Sequence, residues 1–365
     1  MTDLDILAAG SPPGGVLVVA AGGIGDAILL AHLFPGFAGL GEAGEKLTLL
    51  LRADAGPAAF LFAGQASNLA NVVTVDFARF GKSYFYRRRV FRALRATGYR
   101  LAVSVDYKRH PKLDEALILA SGAPDIRAMQ ARPWSKYDGQ LTRNRARFTR
   151  LYDSGPVLTD KIIRWAGFLQ WLGGDGAPPV LNYAPERLPP ARPLDRPAIV
   201  LAPFSAEKRK QSPAALYAKI IDHIGDDYDL ALTGAPGDLD ANPEFKSMAG
   251  RPNVSFDASS FEDLAPLLRA ASLVVAADTA SMHLAVAMGA PTLCLASAAY
   301  VNEIVPYAPS IIPANAHFIY QPMDCQSCLG DCTREAEAGM YACVAAIDEM
   351  QVLAKIDEIL GGQEP

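Results

Sequence analysis

The sequence predicts an α/β protein built from two doubly wound, Rossmann-like domains. Short, continuously apolar runs recur along the chain with helical patterns between them, which is typical of parallel strands covered on both faces. Four runs lie at 16–20, 47–51, 72–75 and 101–105, and four more lie at 198–202, 230–233, 272–276 and 292–296. Residues 178–197 separate the two series and contain seven prolines, so they can continue neither a helix nor a central strand.

That proline-rich stretch sets the expected domain boundaries. Residues 1–177 form the N-terminal domain, 178–197 the linker and 198–346 the C-terminal domain. We expect residues 347–365 to form a terminal helix that packs back on the N-terminal domain. Because ligands of such sheets bind beyond the carboxyl ends of the strands, we expect the two domains to face each other across a cleft formed by strand-to-helix turns.

The composition is that of a globular protein with two cores, since the chain has 365 residues, 50% hydrophobic and 20% charged. No apolar run approaches the roughly 18 residues needed to span a bilayer. Residues 1–10, MTDLDILAAG, carry two aspartates where a signal peptide would carry basic residues. These features predict a cytoplasmic protein.

Positive charge is concentrated in one segment. Residues 79–150 contain 18 basic and five acidic residues, a net charge of +13, in a protein whose overall charge is −5. Within it, residues 82–100 read as an amphipathic helix with Arg88, Arg92 and Arg95 on one face. The imbalance indicates an anionic partner, with a merely solvated face as the alternative. Nucleic acid is disfavoured because no recognition motif accompanies the charge.

The first strand-to-helix turn is rich in glycine. Its glycines, Gly22, Gly23 and Gly25, would let another molecule approach the backbone closely. A dinucleotide fingerprint would need glycine at 28 and an acid near 52, where Ile28 and Arg52 stand, so an NAD site is disfavoured, although the arginine leaves an NADP site open. Asp26 then has two interpretations: it caps the helix, or its carboxylate accepts a proton from a bound hydroxyl.

Two turns of the second half also indicate ligand binding. Lys208, Arg209 and Lys210 precede a helix whose N-terminus is already electropositive, a conflict that a bound phosphate would resolve. The alternative is a solvated basic loop. The turn LTGAPGDLD, with Gly234 and Asp238, has room for a ribose or a base edge, although it reads equally well as an ordinary loop.

The stretch VVAADTASMHLAVAMGAPT at 274–292 joins a buried strand to a helix at 279–288. The free amides of Thr279, Ala280 and Ser281 at the helix start are suited to a diphosphate. Asp278 should therefore either cap this helix or accept hydrogen bonds from sugar hydroxyls. His283, taken alone, is more typical of a satisfied core histidine.

Four of the five cysteines fall in a single segment of nineteen residues. They are Cys325, Cys328, Cys332 and Cys343, spaced C-x2-C-x3-C-x10-C. This pattern predicts a structural zinc or iron ion, with idle thiols and an iron–sulfur cluster as alternatives. Four protein ligands leave no open position, so the metal would not be catalytic. Cys294, within an apolar run, reads as a small buried hydrophobe.

Taken together, GGIGDAILLAHLF, KRKQSP, GAPGD and DTASMHLAVAMGAPT resemble the family 9 glycosyltransferases, the heptosyltransferase-like group, over nearly the whole chain. The resemblance implies the GT-B fold and transfer of a sugar, with inversion, from ADP-heptose to the inner core of lipopolysaccharide. This sequence departs from the family pattern at Ala280, where the family has glycine, and at Gln211-Ser212, where an aromatic residue is usual.

The resemblance also assigns roles. Asp26 corresponds to the catalytic base and Lys210 to the phosphate-binding lysine, while Asp238 stands near the ribose-binding acid. The donor-binding set is Lys208, Lys210, Gly234, Asp238, Asp278, Thr279, Ala280, Ser281 and His283.

The resemblance further implies an anionic glycolipid or glycan acceptor on the N-terminal domain and peripheral contact with the inner leaflet. No catalytic cofactor is expected, because no Asp-x-Asp pair directly ends a strand. A GT-B nucleotide-sugar epimerase and a non-catalytic nucleotide- or carbohydrate-binding protein are the alternative functions.

Overall fold

The computed structural model describes residues 14–362. The first ten residues, which carry the argument against a signal peptide, and the last three residues of the expected terminal helix lie outside this range. The chain divides into two compact units, residues 1–179 and 180–365. Each contains one six-stranded parallel sheet with helices along it.

The first unit has the strand order β3-β2-β1-β4-β5-β6. Its strands are β1 (Val16–Ala20), β2 (Leu47–Arg52), β3 (Leu69–Val75), β4 (Leu101–Ser104), β5 (Asp125–Met129) and β6 (Arg150–Tyr152). Its α-helices are α1 (Ile24–Ala38), α2 (Phe77–Lys82), α3 (Tyr84–Thr97), α4 (Asp114–Ala120), α5 (Asp138–Arg145) and α6 (Lys161–Leu172), and a 3₁₀ segment spans Ala53–Phe62.

The second unit repeats the design with the order β12-β11-β10-β7-β8-β9. Its strands are β7 (Ala198–Ala202), β8 (Asp229–Thr233), β9 (Val254–Asp257), β10 (Leu273–Ala277), β11 (Thr292–Leu295) and β12 (Ala316–Ile319). Its α-helices are α7 (Ala214–Ile224), α8 (Asp238–Ala241), α9 (Lys246–Ala249), α10 (Phe261–Ala270), α11 (Ala280–Ala287), α12 (Ala342–Ala345) and α13 (Glu349–Gly361).

The central strands are apolar on both faces because helices cover both. Every residue of β1, β7 and β10 is buried. β1 pairs in parallel with β2 and β4, and β10 pairs with β7 and β11, so the turns after these strands share one edge of each sheet. The predicted α/β class and doubly wound parallel sheets are confirmed.

Two segments differ in detail from expectation. The helix expected at 82–100 begins at Tyr84, because Ser83 caps it by accepting the Tyr86 N–H, and α2 precedes it. Part of the proline-rich linker is packed on the second unit, where Leu181 and Tyr183 are buried and their amides donate to the carbonyls of Ile311 and Ala287.

The terminal helix is α13. Its apolar residues Val352, Ile356 and Ile359 are buried in the core of the second unit. Their spacing of three and four residues gives a single apolar stripe. The apolar stripe of α13 packs on the other core residues of the second unit.

Candidate functional site

The glycine-rich turn after β1 presents the carboxylate of Asp26. Asp26 is the third residue of α1 rather than its cap, since the N-cap is Gly23, and its Oδ2 accepts the Gly23 N–H at 3.0 Å. A Cβ at Gly22 would lie 2.4 Å from that same oxygen, so only glycine fits there. The local sequence therefore fixes the orientation of the carboxylate.

Lys161 is the ion-pair partner of Asp26, and sequence analysis did not identify it. The Lys161 Nζ lies 2.5 Å from Asp26 Oδ1, and both side chains are half-buried. Lys161 is the first residue of α6, whose N-cap, Asp160, accepts the amides of Ile162 and Ile163. The lysine thus extends from a well-anchored helix start and keeps a countercharge on Asp26.

Asp106, directly beyond β4, is a second carboxylate of this group. Its Oδ2 accepts the Ala21 N–H at 2.6 Å, which fastens it to the turn after β1. Burial raises the pKa of Asp106 to about 6: the nearby charge of Asp26 adds to the increase, and the Ala21 amide, Lys161 and Arg109 oppose it. The carboxylates of Asp26 and Asp106 thus both lie near Lys161. Asp106 is the more strongly desolvated of the two.

A buried polar layer supports this edge of the sheet. The Arg109 Nε donates to Glu115 at 3.1 Å, and both side chains are 1% exposed. Arg109 also donates to the backbone carbonyls of Asp106 and Met129. Burial raises the pKa of Asp114 to about 8, although its carboxylate accepts the His110 N–H.

In the second unit the corresponding feature is an ion pair between Lys210 and Asp278. The Lys210 Nζ lies 2.9 Å from Asp278 Oδ2, and Asp278 is buried. The ammonium also lies 4.0 Å from the centre of the Tyr300 ring. Asp278 does not cap α11, because the N-cap is Thr279, which makes no side-chain cap bond. Of the two sequence interpretations, capping by Asp278 is therefore wrong.

The two departures from the family pattern are accommodated locally. Ala280 begins α11 and is not one of the described residues with a left-handed backbone, so alanine causes no strain there. Gln211 is buried and donates to Asn242 at 3.0 Å while accepting the Ser205 amide. Lys208 donates to the same Asn242 side chain.

Most of the remaining residues of the predicted donor-binding set make hydrogen bonds or close packing contacts within the second unit. Asp238 begins α8 and its carboxylate accepts the Ala235 N–H at 2.7 Å. A Cβ at Gly234 would lie 2.6 Å from the Phe204 ring. His283 is buried, and its Nδ1 lies 2.6 Å from the Tyr307 hydroxyl, as expected of a satisfied core histidine. Ser281 lies on the first turn of α11, half-buried.

Several hydroxyl groups at the same edge of the second sheet are buried without a protein partner. Within residues 14–362, no hydrogen-bond partner is found for the hydroxyls of Ser212, Thr279 and Ser297. Thr279 follows Asp278, and Ser297 follows β11, the neighbour of β10. Because burying an unpaired hydroxyl is costly, a polar ligand at this edge would give these groups partners.

The four clustered cysteines do not form a ready-made metal centre. In the described part of the chain no three His, Cys, Asp or Glu side chains lie close enough to hold an ion. The thiols are nevertheless near one another: burial raises the pKa of Cys343, and the charges of Cys332, Cys325 and Cys328 add to the effect. Cys294 is fully buried within β11, as its apolar context predicts.

Helix α3 carries the arginines expected on the acceptor side. Arg88, Arg92 and Arg95 are exposed on it, and none of the ion pairs found in residues 14–362 uses them. At its N-terminal turn, Tyr84 and Phe85 are 66% and 82% exposed, with ring centres 5.7 Å apart. No helix among residues 14–362 has the length and apolar character needed to cross a membrane.

Comparison with known families identifies the domain that contains Lys210 and Asp278. Residues 179–332 match the model of glycosyltransferase family 9 (heptosyltransferase). The chain carries a family 9 glycosyltransferase domain. The matched residues include Lys210, Asp278 and the unpartnered hydroxyls, so the resemblance drawn from the motifs is confirmed.

Solved structures extend the likeness in fold over both units of the chain. A family 9 glycosyl transferase from Veillonella parvula is 18% identical, with a TM-score of 0.71 over 97% of this chain and 100% of that one. The E. coli heptosyltransferase WaaC, solved with ADP-2-deoxy-2-fluoro heptose, is 17% identical, with a TM-score of 0.65 over 94% of this chain and 99% of that one.

A third structure is the bacterial iron-containing dodecameric glycosyltransferase TibC from enterotoxigenic E. coli. It is 13% identical, with a TM-score of 0.51 over 96% of this chain and 80% of that one. At these identities the structures establish the fold, which is that of the GT-B heptosyltransferases. Curated protein sequences gave no significant match.

The structure thus brings Asp26 together with Lys161 and Asp106, and Lys210 together with Asp278. Asp106 could have been found from the sequence, because it directly follows a strand that neighbours β1. Lys161 had no such signal, since it lies 135 residues from Asp26 on another helix.

We predict that Asp106→Asn changes how stability depends on pH. The folded pKa of Asp106, about 6, exceeds its ordinary value of 3.8, so this group stabilises the fold fully below about pH 4. That contribution is lost as pH rises through 6, by up to about 3 kcal/mol. The asparagine variant should therefore lose less free energy of unfolding between pH 4.5 and 8 than wild type.

Urea unfolding at both pH values measures this difference. Asp227→Asn, which removes an exposed carboxylate, is the matched control and should follow wild type. Equal pH dependence in Asp106→Asn and wild type would show that the Asp106 carboxyl is not desolvated.

Proposed function

We propose that this protein is an inverting glycosyltransferase. It moves a sugar, heptose in an ADP-linked donor, to a hydroxyl group of an anionic glycan or lipopolysaccharide-type acceptor. The observation that carries the proposal is the Lys210–Asp278 pair at the start of α11, within the residues that match family 9. The sugar nucleotide bound to WaaC supports the choice of donor.

The diphosphate of the donor is assigned to Lys210 and the first amides of α11. A helix N-terminus favours negative charge, and Lys210 adds a full positive charge beside it. Asp278 balances Lys210 when no anion is bound, and its carboxylate can then accept hydrogen bonds from hydroxyls of the donor. The buried hydroxyls of Ser212, Thr279 and Ser297 offer further partners for this polar ligand.

The acceptor hydroxyl is assigned to Asp26. As its oxygen attacks the anomeric carbon, its proton passes to the Asp26 carboxylate, and the bond from that carbon to the diphosphate oxygen breaks. The leaving diphosphate gains charge that Lys210 stabilises. Lys161 pairs with Asp26 and holds its carboxylate in place. No step of the proposed displacement is assigned to a cofactor.

We predict that Asp26→Asn abolishes transfer and preserves donor binding. General base catalysis contributes about 10² to 10⁴ in rate, so kcat should fall by that order. Lys210→Met is the counterpart and should weaken nucleoside diphosphate binding instead. Transfer assays measure the loss of kcat, and calorimetric titration with ADP, GDP and UDP measures the loss of binding. The titration also identifies the nucleobase of the donor. Full activity in Asp26→Asn would remove Asp26 from the mechanism, and a wild type that binds but never transfers would favour a binding protein.

The cysteine segment is proposed to hold one structural zinc or iron ion. Four thiols in one segment of nineteen residues are a chemically suitable donor set for either metal once the ion draws them together, and TibC, of similar fold, contains iron. The ion would cross-link residues 325–343 and take no part in transfer.

We predict about one equivalent of zinc or iron in anaerobically purified protein, because four thiolates make a closed site. Elemental analysis measures it, and Cys328→Ser should lower the content while Cys294→Ala should not. Protein that is metal-free as purified and takes up no added zinc would show that these are idle thiols.

We also propose a cytoplasmic protein in peripheral contact with an anionic bilayer, through the exposed face of α3. Aromatic side chains favour the membrane interface, and each nearby cation adds about 1 kcal/mol on an anionic surface. Tyr84 and Phe85 provide the aromatic pair, and Arg88, Arg92 and Arg95 provide the charge.

We predict that Phe85→Ser weakens binding to vesicles that contain phosphatidylglycerol by roughly tenfold, because an exposed phenyl ring loses its apolar environment. Met350→Ser, at a residue 67% exposed on the second unit, is the control. Co-sedimentation at low and high salt measures the binding. Equal binding of Phe85→Ser and wild type would exclude this face of α3.

A further inference from the structure

The loop that carries Lys210 is tied to the cysteine segment. Tyr341 lies two residues before Cys343, and its hydroxyl donates a hydrogen bond to Glu207. Its backbone N–H donates to the Arg209 carbonyl at 2.8 Å, and the Arg209 guanidinium lies 4.5 Å from the centre of its ring. Three separate contacts thus join Tyr341 to Glu207 and Arg209, which lie on either side of Lys208. Arg209 is also the residue before Lys210.

Tyr300 makes a second connection to the same loop. Its hydroxyl donates to Glu207 at 3.4 Å, and its ring lies under the Lys210 ammonium at 4.0 Å. Glu207 therefore accepts hydrogen bonds from two tyrosines and also pairs with Arg209 at 3.3 Å. These contacts fix Glu207 and Arg209, which are neighbours of Lys210 in the loop. The position of Lys210 therefore depends on them.

The cysteine segment is fitted closely to these tyrosines. The amides of Ser327 and Leu329 donate to the carbonyls of Ala298 and Ala299, the two residues before Tyr300, at 2.8 Å each. Gly330 has a left-handed backbone, and a Cβ there would lie 3.0 Å from the Tyr300 hydroxyl and 3.3 Å from the Tyr341 hydroxyl. Tyr341 and Cys343 share a buried apolar cluster with Val301, against which Cys332 packs.

From these contacts we infer that Tyr341 is a positioning residue for the proposed diphosphate site, and that the cysteine segment is the support of the loop that carries Lys210. The inference rests on the proposed function, because it concerns the binding of a nucleoside diphosphate. Besides holding a metal, the cysteine segment would keep the flexible side chain of Lys210 near the Asp278 carboxylate, with which Lys210 pairs. Opening the segment would release Glu207 and Arg209, and with them the loop.

The test uses the full chain and Tyr341→Phe, which removes one hydroxyl and keeps the ring. Affinity is measured by calorimetry for the tightest of ADP, GDP and UDP, and for the nucleoside of the same base. We expect the diphosphate to bind roughly fivefold or more weakly, as for loss of a hydrogen bond to a charged group, with nucleoside affinity unchanged. A general loss of structure would weaken both ligands.

Tyr217→Phe is the matched control, because Tyr217 is a fully buried tyrosine of the same unit whose hydroxyl has no partner in residues 14–362. Unchanged diphosphate affinity in Tyr341→Phe would overturn the inference and leave the proposed function intact. A wild type that binds none of the three diphosphates would instead overturn the proposed function, and the inference with it.

A second measurement needs only the wild type. Cys343 is buried, so we expect it to react with a thiol reagent only when the segment opens. Because coupling between two sites is reciprocal, bound nucleoside diphosphate should slow labelling of Cys343 severalfold, as read by peptide mass spectrometry. Cys294, in the core of the sheet, reports global opening. If diphosphate slows both cysteines equally, or neither, the segment does not support the loop.

Discussion

Parallel pairing of every strand is the constraint on which both candidate sites depend. In each sheet all six strands point the same way, so the turns that follow them gather at one edge. Asp26 and Asp106 follow β1 and β4, which are neighbours, and Asp278 and Ser297 follow β10 and β11, which are also neighbours. Residues far apart in sequence thus meet because of strand order, before any side-chain contact is considered.

The same constraint explains which elements could be predicted from sequence. The predicted strands include the central ones, which are covered on both faces and are therefore continuously apolar. The missed strands, β5, β6, β9 and β12, lie at or near the sheet edges and contain polar residues, as in DIRAM, RLY, VSFD and AHFI. An edge strand has one paired neighbour and can keep polar side chains in solvent, so it carries a weak apolar signal.

The site shows a similar division. Asp26, Lys210 and Asp278 could be identified because each stands in a local pattern of strand, glycine or basic residues, and helix. Which residues pair could not be predicted, since Lys161 and Asp26 are separated by 135 residues and Lys210 and Asp278 by 68. The two interpretations offered for each aspartate have different outcomes. Asp26 does satisfy an amide at the start of α1, that of the N-cap Gly23, and it also pairs with a distant lysine. Asp278 pairs with Lys210 and does not cap α11, whose N-cap is Thr279.

The two departures from the family pattern bear on the donor in different ways. Ala280 has ordinary helical backbone at the start of α11, so glycine is not needed there for its conformation, and the added methyl group affects only how closely a ligand approaches. Gln211 fills its position by bonding Asn242, which also binds Lys208. In this chain a buried amide network therefore fixes one end of the basic loop. Tyr300 and Tyr341, from other parts of the unit, supply aromatic contacts to Lys210 and Arg209, next to the position where the family has its aromatic residue.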